Sequence, residues 1–358
     1  MLAPIFLVLA YAAVHLPLVS GRTEVLFISH NGPLVDARLD PLVNPGTCSR
    51  HVHSVFGASS FGSTLDEDDF EDRRWQNDNR KEDQTTSNII PNLSLYWAPS
   101  LYIFNPNDEL FYIVPTFSRT YYRIQHRNDI SVIHPIPLFL QLIAGDATQT
   151  RPWRRGDEHD DIRWTNRDNR QRTNAEDHGD WTYLRDDPDL VADEDQLEMN
   201  VRFPNCLQVR RNGRPITTSP DFRSHAAYSE NNVCPDDFPY HIPTVNLEVR
   251  YDLRSMRRDL GRDVVDNIDN WVLSTGDRSG ASAHADFVSG WPEELMEEAI
   301  QHCRRSEDAN RGSCPVEQYF DQSPQQMRSK TIPTDFAVPD EVLSPVRRIP
   351  SGSCPDLV

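Results

Sequence analysis

The stretch Val245-Asn246-Leu247-Glu248-Val249-Arg250-Tyr251-Asp252-Leu253 decides the fold. Its apolar residues recur at every second position, so Val245, Leu247, Val249 and Tyr251 share one face of an extended chain. That period marks a half-buried strand. Working outward, the alternation returns in residues 197–203 (LEMNVRF), and further strands are expected over 24–30 (EVLFISH), 110–117 and 121–125. Residues 94–104 (SLYWAPSLYIF) are aromatic and β-prone, and Pro99 breaks them in two. One helix is clear, over 292–305 (PEELMEEAIQHCRR). It has Pro292 at its first position, Glu293 and Glu294 in the first turn, and Arg304 and Arg305 at the end. Leu295, Met296, Ala299, Ile300 and Cys303 form its apolar stripe. The sequence therefore predicts a mainly β protein, a two-sheet sandwich of jelly-roll type with long charged insertions and one clear α-helix.

Two segments interrupt the pattern. Residues 66–83 and 145–194 are dense in charge and poor in apolar residues, and both read as surface insertions that bury too little to offset their ordering entropy. The first 21 residues carry no Asp, Glu, Lys or Arg and end in small residues, which reads as a cleaved signal peptide. A membrane-anchored form is the alternative, because a basic n-region is missing. Residues 22–316 then make one β-rich domain, and the Pro-, Ser- and Arg-rich residues 317–358 a flexible tail.

Six cysteines, an even number, fit disulfides in an exported protein. Cys303 with Cys314 closes a short loop, Cys206 with Cys234 is the second pair, and Cys48 with Cys354 remains. Alternatively, Cys354 stays unpaired or is lost by proteolysis. No C-x-x-C occurs, so zinc knuckles are excluded. Asn92-Leu93-Ser94 is a glycosylation sequon. A net charge of −19 argues against nucleic acid, which demands dense positive charge. It leaves room for an anionic glycan in a local arginine cleft.

Three stretches are dense in chemistry. His51-Val52-His53 places two histidines at i and i+2, on one face if the segment is a strand. Residues 271–291 hold Asp277, His284 and Asp286, and residues 221–228 hold Ser224, His225 and Tyr228. Nucleotide loops and a G-x-S-x-G nucleophile elbow are absent.

Anchors in this order resemble a secreted, mostly fungal family, domain of unknown function nineteen ninety-six. They run LDPLVNPGTCSRHVHSVFGASSF, LYWAPSLYI, YYRI, RFPNC, SHAAY, IPTVNLEVRYD and WVLSTGDRSGASAHADFVSGW, over about residues 39–314. The family's usual His-Gly-Asp-Phe stands here as His284-Ala285-Asp286-Phe287. The resemblance implies secretion and one domain, and it carries no activity.

Three functional readings follow. The first is a polysaccharide-active enzyme, a lyase or hydrolase working through His53, His225, Asp277, His284, Asp286 and Tyr122. Trp97, Tyr102, Tyr121 and Trp291 would stack on sugar rings. The second is a non-catalytic carbohydrate- or cell-wall-binding protein using the same aromatics. The third is an extracellular metal-binding protein in which His51 and His53, plus His225 or His284 and Asp286, hold one divalent transition metal. Against all three stands the reading in which these histidines are satisfied core residues.

Overall fold

The computed structural model describes residues 24–70, 85–124, 132–151, 162–166, 195–303, 314–319 and 344–352. Its strands in chain order are β1 (Glu24–His30), β2 (Val35–Leu39), β3 (Cys48–Gly57), β4 (Leu95–Pro99), β5 (Leu101–Asn105), β6 (Leu110–Ile113), β7 (Thr116–Ile124) and β8 (Gln141–Gly145). They continue as β9 (Ile162–Asn166), β10 (Gln196–Arg202), β11 (Cys206–Leu207), β12 (Ala226–Ala227), β13 (Tyr240–His241), β14 (Thr244–Asp252), β15 (Trp271–Leu273) and β16 (His284–Val288). The order β1-β7-β14-β10-β9 makes one five-stranded sheet, and β2-β3-β4-β16-β8 makes a second. The small sheets β15-β5-β6 and β12-β11-β13 flank them. Pairing is antiparallel throughout.

The alternating stretch is β14, the centre of the first sheet. Val245, Leu247, Val249 and Tyr251 all lie in the core. Opposite them Tyr96, Ala98, Leu142, Ala144, Ala285 and Phe287 of the second sheet fill the same core. Contacts cross between the sheets: the Phe203 and Phe287 rings lie 5.6 Å apart, His30 and Tyr96 5.5 Å apart, and the Tyr96 and Tyr122 hydroxyls are hydrogen-bonded. This is the double-sheet β architecture expected from the alternation.

The second sheet differs from the first in carrying apolar residues on both faces, whereas the outer face of the first is polar, with Arg250 ion-paired to Glu198 and Glu248. The outer face of the second sheet carries a second apolar cluster, in which Val55, Leu95, Trp97, Ile143 and Val288 pack under Phe61, Phe70, Phe139 and Phe222. A strand buried on both sides loses its apolar–polar alternation, and Leu95–Pro99 is buried at every position.

Several details depart from the sequence reading. Part of the segment 145–194 is not a surface insertion: Ile162–Asn166 is edge strand β9, paired to β10, with Ile162 and Trp164 buried. Within 66–83 the described residues end at 70. The clear helix, α3, runs Glu293–His302, starting one residue later than expected because Pro292 is its N-cap, and Arg304 and Arg305 lie outside the described residues. Two shorter helices precede it, α1 (Leu253–Leu260), capped by the Asp252 side chain on Ser255 N, and α2 (Arg262–Val265). In the expected tail, residues 344–352 are docked: Phe111 and Val346 exchange two backbone hydrogen bonds, and Arg38 Nη2 donates to Gly352 O at 2.7 Å. The expected signal peptide lies outside the described residues.

Cys206–Cys234 and Cys303–Cys314 are disulfides, as their spacing suggested. Cys48 is also disulfide-bonded, and its expected partner Cys354 lies outside the described residues. Asn92 is fully buried, and its amide is spent on Tyr96 Oη and Ser94 N. A glycan on that nitrogen has no room, so the sequon is not a surface acceptor in this fold.

Asp36 on β2 gives a testable consequence. Its carboxylate accepts from Ser54 Oγ at 2.5 Å and Ser100 Oγ at 3.3 Å, yet burial raises its pKa from 3.8 to about 6. A raised carboxyl contributes stability below its unfolded value and loses it as pH rises through the folded value. Asp36→Asn is therefore expected to gain on the wild type between pH 4 and pH 8. The gain is about 2 kcal/mol, less than the full shift because the side chain is partly solvated. Urea unfolding at the two pH values checks it, and a constant difference would refute it.

Candidate metal centre

Strand β3 carries the two histidines of the HVH stretch. Val55, two residues on, belongs to the outer cluster and Phe56 to the inner core. His51 and His53, in phase with Val55, therefore project from the outer face of the second sheet. Strand β16 behaves likewise: Ala285 and Phe287 face the inner core, and Val288 the outer cluster. His284 and Asp286 thus share the outer face with the two β3 histidines. Between these strands runs β4, whose Pro99 pairs with His53 and whose Trp97 pairs with Asp286. Continuing that register by two residues brings His284 level with Pro99. A proline there leaves the space above β4 to the rings on either side.

The three imidazoles meet in that space. His51, His53 and His284 each offer a ring nitrogen within 4.8 Å of the other two. Their ring centroids are 4.2, 5.0 and 5.8 Å apart. All three residues are buried. Two tautomers are set by backbone carbonyls: His53 Nδ1 lies 2.9 Å from Leu39 O, and His284 Nδ1 lies 2.8 Å from Ser282 O. A carbonyl only accepts, so each Nδ1 carries the proton and each Nε2 presents a lone pair. His51 Nε2 stands 3.1 Å from His284 Nε2, so in the metal-free chain the proton between them belongs to His51. Among the described residues His53 Nε2 has no hydrogen-bond partner.

The electrostatics keep all three rings neutral. Burial lowers the His53 pKa to about 3 and that of His284 to about 4. His51 falls further, through burial first and then through its two histidine neighbours and Arg38. Arg223 and Asp146 face His284. Asp286 is buried, its carboxyl is pushed well above the usual range by burial and then by Asp40, and its Oδ2 has no partner among the described residues. Asp40 is raised by burial as well, while its carboxylate accepts from Leu42 N and Val43 N.

The other expected site residues separate from this group. His225 sits in the loop beside β8, with Nδ1 2.7 Å from Ser219 Oγ, and is not part of the cluster. Asp277 is spent on its own loop, accepting from Ser279 N and Oγ and from Ser282 N and Oγ. Tyr122 is fully buried between the sheets against Trp291, on the far side of the second sheet from the histidines. Of the four rings expected as a sugar platform, Trp97, Tyr102 and Trp291 are fully buried, and a buried ring has no free face. Tyr121 alone of the four is partly accessible. The sequence reading missed Leu39 and Ser282, which act through backbone carbonyls that no side-chain pattern reveals.

Fold and site together define a double-sheet β protein with a buried three-histidine cluster on the outer face of one sheet. The chain belongs to the family described as Domain of unknown function (DUF1996), whose model matches residues 40–291, about seven-tenths of the chain. All three histidines lie within the matched span. Searches of curated proteins and of solved structures return no match. Among the described residues no helix is long and apolar enough to cross a membrane.

Proposed function

We propose that the chain is an extracellular metalloprotein that holds one divalent transition metal, zinc or copper, on His51, His53 and His284. The observation that carries this reading is the convergence of three buried imidazole nitrogens, with the outer nitrogens of His53 and His284 tied to backbone carbonyls. Metal-bound histidines almost always have such a partner on the second ring nitrogen. The donor set also fits in size. A tetrahedral zinc site, with Zn–N of about 2.0–2.1 Å, spaces its nitrogens by about 3.3 Å. The distances here run from 3.1 Å up to at most 4.8 Å, so small ring movements suffice. His51 must move its proton from Nε2 to Nδ1 to become a ligand, with no change in charge.

Three neutral donors leave a fourth position open, as in catalytic zinc sites. A metal bound there supplies a Lewis acid to whatever occupies that position. Asp286 shares the outer face with the three rings, and its Oδ2 has no partner among the described residues, so its buried carboxyl is placed to ionise beside a bound dication and offset part of that charge. The disulfides favour an oxidising compartment. The sugar-platform reading has less support, because three of its four rings are enclosed.

Metal analysis of the disulfide-intact protein tests the proposal. About one metal per chain is expected, and none in His51→Ala/His53→Ala. A wild type that takes up no zinc or copper would overturn the reading.

A further inference from the structure

Asp277 was expected among the catalytic acids, and its hydrogen bonds give it another task. Residues 274–282 form the loop that leads into β16 (STGDRSGAS). Within it Asp277 Oδ1 accepts from Ser279 N and Ser279 Oγ, both at 2.7 Å. Asp277 Oδ2 accepts from Ser282 N at 2.9 Å and Ser282 Oγ at 3.2 Å. Thr275 Oγ1 holds Ser282 Oγ at 2.6 Å from the other side, and Leu273 N donates to Asp277 O at 2.8 Å. The carboxylate thereby clips Ser282 to the end of β15. Ser282 O in turn is the acceptor, at 2.8 Å, that holds His284 Nδ1.

We propose that Asp277 is a positioning residue for the three-histidine centre: through Ser282 it fixes the tautomer and direction of His284. This rests on the metal reading of the site. The carboxylate itself contacts no ring of the cluster. A parallel device serves His53, whose acceptor Leu39 O directly precedes Asp40, and Asp40 Oδ1 takes the amides of Leu42 and Val43. In both places an aspartate spends its lone pairs on backbone amides, and the turn so fixed aims a carbonyl at a histidine. An imidazole free to swing loses its preorganisation for metal, and loss of such outer partners typically costs 10–100-fold in affinity.

The test is a set of variants titrated with zinc against a competing chelator. Asp277→Asn replaces one acceptor oxygen by a donor, and a 10–100-fold loss of zinc affinity is expected. Ser282→Ala keeps the backbone N–H and carbonyl and loses only the bonds of Ser282 Oγ, so its loss of affinity should be smaller than that of Asp277→Asn. Thermal melts of the metal-free proteins show whether each variant folds. A wild type that binds no zinc defeats the metal reading itself. A folded Asp277→Asn that binds like the wild type, while the wild type does bind, defeats the positioning role alone. Should Asp277→Asn not fold, ring 15N spectra of the metal-free wild type decide. A proton on His284 Nδ1 supports the relay, and one on Nε2 overturns it.

Discussion

Zinc at about a thousand times its dissociation constant is expected to raise the melting temperature of the metal-free chain by about 6 °C, and His284→Ala to abolish the rise. Binding to the folded state alone adds about 4 kcal/mol at that excess. In a domain of roughly 300 residues each kcal/mol moves the midpoint by about 1.6 °C. The gain depends on ligands that exist together only in the native state: His51 and His53 come from β3, while His284 lies 233 residues from His51 in sequence. An unfolded chain keeps the i,i+2 pair and loses the third nitrogen, so its affinity is far lower. His284→Ala should leave a folded protein, since it deletes one ring and leaves Ser282 O without that donor, at about 1–3 kcal/mol. Its melt must therefore be compared with its own metal-free baseline. An equal rise in wild type and variant would place the metal elsewhere.

Much of this centre was legible in the sequence, and the illegible part has a physical cause. The spacing of His51 and His53 required only that the segment be a strand, because period two then puts both rings on one face. The same rule puts His284 and Asp286 on one face of β16. What spacing could not supply was the distance between β3 and β16, which depends on β4 lying between them. The aromatics misled for a related reason. Trp97 and Tyr96 are neighbours on β4, one in the outer cluster and one in the inner core. A sheet covered on both faces buries both, whereas an aromatic-rich strand with one face in solvent would have shown a platform. Strand β9 was hidden by its surroundings: Ile162 and Trp164 alternate correctly, but five residues cannot be heard within a long charged run. Helix α1 was hidden because RSMRRDL reads as charge, and its stripe is as narrow as Leu253 and Met256.

Gly145→Ala is expected to cost about 4 kcal/mol and to weaken zinc binding at the same time. Gly145 ends β8 directly opposite His284 in the β8–β16 register. Its φ is +80°, where a Cβ costs about 1–2 kcal/mol on its own. A methyl there would also meet Ala283 O, Ile162 Cδ1 and the Cα of His284, the last at 2.8 Å. Two of these are backbone atoms of the segment that carries His284, so they yield only if β16 shifts away from β8. Overpacking of that kind adds about 1–3 kcal/mol. Gly213→Ala is the control, since Gly213 has almost the same φ of +79° but nothing within 4 Å of its would-be Cβ. It should pay the backbone term alone and leave zinc affinity unchanged. Denaturant unfolding of the two variants separates backbone strain from steric contact, and zinc titration of each then reports whether His284 has moved. If Gly145→Ala costs no more than Gly213→Ala, the close approach of β8 to β16 is refuted. If it destabilises the fold while zinc affinity holds, His284 is positioned from its own loop, through Ser282, and not by its neighbour across the sheet.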